Sequence, residues 1–159
     1  MDFTVNPDFG QVEADPSEVN LSAYESYFSE KRPVFVEGQN ITNFSPSDGG
    51  NSFAMDNLFY SRRIGRSPQY SPDLNDGQYA DMPENTDILG AVKLTGKTRS
   101  GLSVGAMNAL TARETATVGD NDNTRKMVVE PLTNYAIGRV QKDFSKGKTM
   151  LGGMFTTTN

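Results

Sequence analysis

The chain has 159 residues, contains no histidine, cysteine or tryptophan, and carries a net charge of -5. Without imidazole or thiolate, a Ser-His-Asp or Cys-His nucleophile, the usual zinc ligands and a thiol redox centre are excluded. Hydrophobic residues make up only 35% of the chain, which indicates partial disorder, a small core with long loops, or a sheet with one polar face. The acidic pI of about 4.7 and the lack of phosphate-binding motifs argue against a nucleic-acid partner.

Acids and bases are distributed unevenly on either side of Asp87. Residues 1–87 contain 15 acids and 5 bases, a balance of -10, whereas residues 88–159 contain 5 acids and 10 bases, a balance of +5. Seven of the eight prolines also lie in the first part. The shift predicts an acidic, Pro-rich, plug-like segment over residues 1–87 and a basic β-meander over residues 88–159.

The first part is interrupted by turn-forming residues, so only short elements are expected in it. A helix is predicted from Ser17 to about Phe28, where aromatic residues recur at helical spacing. Pro33 disfavours the helical region for the residue before it, and the segment PVFVEG is predicted to be extended. A weakly alternating strand is expected from Leu58 to Arg66, followed by a polar loop over residues 67–85.

The second part begins with two alternating runs, ILGAVKLTGK and LSVGAMNALTAR, which predict a hairpin around Arg99-Ser100-Gly101. In the first run, Ile88, Val92 and Leu94 are expected on one face of the strand. Lys93 is expected on the opposite face, because side chains alternate along a strand.

After a polar loop over residues 119–124, the alternation resumes in LTNYAIGRVQKD and, beyond a tight turn, in TMLGGMFTTTN. Four long strands joined in this way predict an antiparallel meander. Strands of about 9 to 11 residues with one apolar face are typical of a transmembrane β-barrel, although soluble sandwiches also alternate. A single-chain barrel needs at least about eight strands, so the chain is expected to supply less than half of one.

Several segments resemble a known family, in its order and spacing: VNPDFGQVEADPSEVNLSAYESYFSEKRPVFVEG, FYSRRIGR, GAVKLTGKTRSGLSVGAMNALTARE, VEPLTNYAIGRVQKDF and GGMFTTTN. They are similar to an internal section of an uncharacterised outer-membrane β-barrel family, classed as a domain of unknown function and typical of Bacteroidetes-type bacteria. In that family the barrel follows a signal peptide and a module similar to the carbohydrate-binding family 9 sandwich. No signal peptide is recognisable in the sequence MDFTVNPDFG.

The resemblance implies a location in the bacterial outer membrane, with outer-membrane lipid as a partner and carbohydrate as a partner through the additional module. It implies a non-catalytic role in transport or at the cell surface, and no catalytic residue, metal or cofactor is expected.

Charged residues of the first part are the candidate binding site, a charge network in the barrel lumen. Arg62 and Arg66 are expected to pair with acids of the same part, although guanidinium groups also bind phosphate, sulfate or sugar acids. The dense charges around residues 30–37 predict a plug or gate crossing the lumen, or alternatively a solvated turn. The candidate residues are Glu13, Asp15, Lys31, Arg32, Glu37, Arg62 and Arg66.

Two other functions remain open at this point. A soluble or membrane-associated hydrolase would use paired carboxylates, such as Asp8 with Glu13 or Glu25 with Glu30. A soluble β-rich binding domain would have the same strand alternation.

Overall fold

A computed structural model describes residues 1–5, 7, 29–42, 58–120, 123–145 and 148–159. In these residues the fold is mostly β, and every strand pair is antiparallel. The predicted helix from Ser17 to Phe28 lies outside the described residues. The strands are β1 (Asp2–Val5), β2 (Tyr79–Asp81), β3 (Ile88–Lys97), β4 (Leu102–Thr111), β5 (Glu114–Gly119), β6 (Thr124–Glu130), β7 (Thr133–Phe144) and β8 (Thr149–Thr158). The helices are α1 (Pro33–Val36), α2 (Gln39–Thr42) and a 3₁₀ helix (Ser61–Arg63).

The larger sheet contains the four predicted meander strands and has the order β1-β3-β4-β7-β8. Strands β3 and β4 form the predicted hairpin, in which Leu94 lies opposite Ala106. Gly101, in the turn, has a φ of 83°, a conformation that glycine adopts without steric cost. The edge strand β1 was not predicted, because four residues are too few to show a period.

The loop predicted between the second and third meander strands is wrong in part, because it contains a second sheet. Strands β5 and β6 form a hairpin and pair with β2, which lies inside the predicted polar loop over residues 67–85. At the ends of these two strands, the backbone N–H of Asp120 donates to the carbonyl oxygen of Asn123 at 3.0 Å. Six and seven residues of mixed polarity give too weak an alternation to distinguish these strands from a loop.

Two predictions for the first part are also wrong. Pro33 begins helix α1 rather than an extended segment, since proline is favoured at the first helical position. Arg32 is extended as predicted, with ψ at 122°. Over Leu58–Arg66 the chain forms a 3₁₀ turn instead of a strand, and Gly65 follows it with a φ of 80°.

The two faces of the larger sheet differ in what they contact. One face, called the covered face, packs against the helices and the 3₁₀ turn through Phe35 and Ile64. A bulge between Ile88 and Gly90 turns Ile88 to this face, so its predicted placement beside Val92 is wrong. The buried or half-buried strand residues of the covered face include Ile88, Ala91, Lys93, Thr95, Ser103, Gly105, Met107, Ala109, Thr111, Thr133, Tyr135, Ile137, Arg139, Gln141, Asp143 and Met154.

The opposite face, called the exposed face, is largely apolar and has no described residues packed over it. Phe155, for example, is 66% exposed. The apolar residues of this face are Phe3, Val5, Val92, Leu94, Leu102, Val104, Ala106, Leu110, Ala136, Val140, Phe144, Leu151 and Phe155.

Candidate functional site

The candidate site is the covered face together with residues 29–42, called the covering segment. Its centre is a buried ion pair between Glu30 and Arg32, whose side chains are 2% and 8% exposed. Arg32 donates from Nη2 to Glu30 Oε2 at 2.7 Å and from Nε to Oε1 at 2.8 Å. Two parallel hydrogen bonds of this kind combine charge attraction with a fixed orientation of both groups.

The same ion pair holds the 3₁₀ turn against the covering segment. Arg32 donates to the carbonyl oxygens of Ile64 at 2.6 Å and Ser61 at 2.8 Å. The hydroxyl of Ser61 donates to Glu30 Oε2 at 2.5 Å. The guanidinium also lies over the ring of Phe35, 4.4 Å from its centroid, which favours the cation further.

Burial alone would raise the pKa of the Glu30 carboxyl, but the hydrogen bonds and positive charge of Arg32, with the hydroxyl of Ser61, outweigh it and lower this pKa below its ordinary value of 4.5. A general acid at neutral pH needs a raised pKa. Glu30 is therefore a structural anion in this arrangement.

Two cations on the covered face bind the covering segment through its backbone. Lys93, on β3, is 1% exposed and donates from Nζ to the carbonyl oxygen of Glu37. Arg139, on β7, donates to the carbonyl oxygen of Ile41 at 3.0 Å. A buried ammonium is costly unless it is hydrogen-bonded, so the carbonyl of Glu37 matters for the folding of β3 as well as for the covering segment.

Close approach of the covering segment depends on glycine at two positions. Gly38 has a φ of 67°, and a Cβ there would lie 2.8 Å from Thr95 Oγ1. A Cβ at Gly105, on β4, would lie 3.1 Å from Ile41 Cγ2. The small residues let helix α2 lie directly on the sheet.

A polar ladder continues along the covered face toward the β3–β4 turn. Arg139 donates to Gln141 Oε1 at 2.7 Å, and Gln141 donates to Asp143 Oδ1 at 3.1 Å. Lys97 donates to Asp143 Oδ2 at 2.8 Å. Charged and amide groups on this face are thus paired with one another.

The candidate residues predicted from the sequence fall in different places. Arg32 is in the buried ion pair, and Lys31 donates its backbone N–H to Glu30 at 3.1 Å. Arg62 donates from Nε to the carbonyl oxygen of Ser29 at 3.2 Å. The Glu37 side chain is exposed.

The remaining candidates are Arg66, Glu13 and Asp15. The positive charge of Arg66 lies near Tyr135 on β7, and the Arg66 Nε is buried without a hydrogen-bond partner among the described residues. Glu13 and Asp15 lie outside the described residues.

Sequence reasoning missed Lys93 and Arg139 as site residues and gave Glu30 no role beside Arg32. The alternation of side chains along β3 and β7 places Lys93 and Arg139 on the covered face of the sheet. This alternation is the feature of the sequence from which the two cations could have been predicted. What covers that face is set by contacts between residues up to 98 positions apart, and no local pattern records such contacts.

One family model matches most of the chain. Residues 1–151 match the family described as domain of unknown function (DUF5916). The chain belongs to this family. No curated protein and no solved structure matches the chain.

No helix in the described ranges of the chain is long and apolar enough to cross a membrane. Within the same ranges, no three acidic side chains come together in a way that would hold a metal ion.

Proposed function

We propose that the chain forms part of an integral outer-membrane β-barrel protein without catalytic activity. The observation that carries this proposal is the exposed face of the larger sheet, which is largely apolar although the covered face already packs the apolar core and buries Lys93 beside it. An antiparallel sheet in water normally has one face packed on the core and a polar face in solvent. Barrel strands in a bilayer direct apolar side chains to lipid and polar ones inward.

Strand length supports the same assignment. Strands β3, β4 and β8 have 10 residues each, which at about 3.3 Å per residue gives roughly 33 Å. With the tilt of about 40° typical of barrels, the height is about 25 Å, the height of the apolar band of an outer-membrane barrel.

Two asparagines on the exposed face are paired with one another, an arrangement that suits a bilayer. Asn108 donates to Asn134 Oδ1 at 3.1 Å, and Asn134 donates to Asn108 Oδ1 at 3.2 Å. The two amides lie on neighbouring strands and satisfy one another. An exposed asparagine in water needs no such partner.

The covering segment would fill the interior of the barrel as a plug. Lys93 and Arg139 bind the backbone carbonyls of this segment, and Glu30 and Arg32 form an ion pair within it. These charges would therefore not face lipid. A plugged barrel suits a transport role, or a surface role related to carbohydrate, in the complete protein of a Bacteroidetes-type bacterium. The carbohydrate part of this proposal rests on the resemblance described above.

The membrane assignment is tested by fractionating cells that express the complete protein of which this chain is proposed to form a part. We expect it in the outer-membrane fraction after carbonate washing, and we expect different gel mobility before and after heating, as folded barrels have. A protein that stays monodisperse without detergent and migrates identically in both states contradicts the proposal and favours a soluble enzyme or binding domain.

The plug is tested by comparing vesicle permeability to small sugars for the wild type and for K93M/R139Q, which lacks both bonds to the covering segment. We expect faster entry through the variant. R125Q/K126M, which changes two exposed cations on β6, is the matched control. Equal entry for all three proteins contradicts the plug.

A further inference from the structure

Both tight turns of the larger sheet lie at the same end, because β3, β4, β7 and β8 alternate in direction. Cations are concentrated at this end. Arg99 lies in the β3–β4 turn, Lys148 precedes β8, and Lys142 lies on β7 at the edge of the exposed face. We call these three residues the turn rim.

The turn rim keeps its positive charge because the nearest acid, Asp143, is paired with Lys97. Asp143 is bound by Lys97 at 2.8 Å. Arg99 and Lys148 are exposed, and no described carboxylate forms an ion pair with either. Since the whole protein has a net charge of -5, this basic surface is a local feature.

Lys142 connects the turn rim to the apolar surface. It lies opposite Leu102 on one side and Leu151 on the other, yet its Nζ donates to the carbonyl oxygen of Ser100 in the turn. Its aliphatic stem thus follows the exposed face, and its ammonium is drawn out to the turn. This is the snorkelling geometry that lysine adopts where an apolar region meets a polar one.

Among the described residues, the exposed charges near the opposite ends of β3 and β4 are of both signs and include Glu84, Asp87 and Arg113. In this part of the chain the excess of cations lies at the tight-turn end of the apolar face.

An apolar surface that ends in cations with no ion-pair partner among the described residues is complementary to a leaflet in which acyl chains end in phosphate groups. We propose that the turn rim binds the headgroups of anionic phospholipids. The inference rests on the proposed membrane location, and it specifies which lipids contact the barrel and at which end. Short barrel turns face the periplasm, so the leaflet concerned is the periplasmic one.

The test measures lipid selectivity in vesicles of phosphatidylcholine. Spin-labelled phosphatidylglycerol and phosphatidylcholine are added in turn, and the fraction of each that the protein immobilises gives a relative binding constant. We expect phosphatidylglycerol to be preferred by the wild type. In the variant R99Q/K148Q, this preference should be about fivefold smaller for each cation removed, measured at low salt. The reason is that one cation near an anionic surface contributes about 1 kcal/mol.

R125Q/K126Q, which removes two exposed cations from β6, is the matched control and should keep the preference. Equal preference in the wild type and R99Q/K148Q, or an equal loss in the control, overturns the inference. Inorganic phosphate that abolishes the preference when chloride of the same ionic strength does not would indicate a free-phosphate site and also overturns it. Immobilisation of neither lipid overturns the inference together with the membrane location, whereas immobilisation without selectivity overturns the inference alone.

Discussion

An arginine in the middle of the exposed face distinguishes a lipid-facing sheet from a water-facing one. Leu94 is 51% exposed, and it lies in one row with Ala106, Gly138 and Phe155, near mid-height of the sheet. In water, L94R would change the free energy of unfolding by no more than about 0.5 kcal/mol, since it touches no buried group. At the midplane of a bilayer, arginine costs about 2–4 kcal/mol.

The assay is urea-dependent unfolding of the protein in vesicles, followed by the gel mobility of the unheated sample. A loss of 2–4 kcal/mol corresponds to a decrease of roughly 30- to 700-fold in the folding equilibrium constant. The control is L132R, because Leu132 is 55% exposed but lies in the loop between β6 and β7. Equal small effects of L94R and L132R would refute the lipid-facing assignment of the exposed face.

Three other predictions concern the covering segment. E30Q leaves the Arg32 guanidinium buried without its counter-charge, so urea unfolding should show a loss of about 3–5 kcal/mol; a loss below about 1 kcal/mol would contradict the role of the ion pair. Because the pKa of Glu30 is lowered below 4.5 in the folded state, its stabilisation is complete above pH 4.5 and is lost as the pH falls through the folded-state pKa; urea titrations below pH 4.5 should therefore show a steeper acid loss for the wild type than for E30Q. G38A should lower the free energy of unfolding by about 1–2 kcal/mol because of the left-handed backbone alone, with a further loss from the clash with Thr95. Adding T95A to G38A should recover only the part due to the clash. Full recovery would show that the backbone conformation carries no cost.

The long strands could be predicted because their signal is local and repeated. In β4 the polar or small residues Ser103 and Gly105 alternate with Val104 and Ala106, and ten residues of this pattern suffice to define two faces. The hairpin turn is defined by Gly101, whose φ of 83° favours glycine. Each of these features lies within a few residues of the next along the chain.

One element that was predicted wrongly has a conformation that depends on distant contacts. The FYSRRIGR segment alternates weakly, but the carbonyl oxygens of Ser61 and Ile64 accept hydrogen bonds from Arg32, about 30 positions away. A strand there would direct these carbonyls into a ladder and leave the buried guanidinium without acceptors. The 3₁₀ turn satisfies the guanidinium, and tertiary contact overrides local propensity.

The low hydrophobic content of 35% is explained by where the apolar residues are placed. The covered face packs a small core that includes Met107 and Ile137, and it also buries Lys93, which binds a backbone carbonyl. Leu94 and Phe155 lie on the exposed face instead. Polar groups such as Lys93 and Arg139 therefore take places in the covered face that apolar residues would otherwise fill. They hold the covering segment by hydrogen bonds to its backbone, which single substitutions can release.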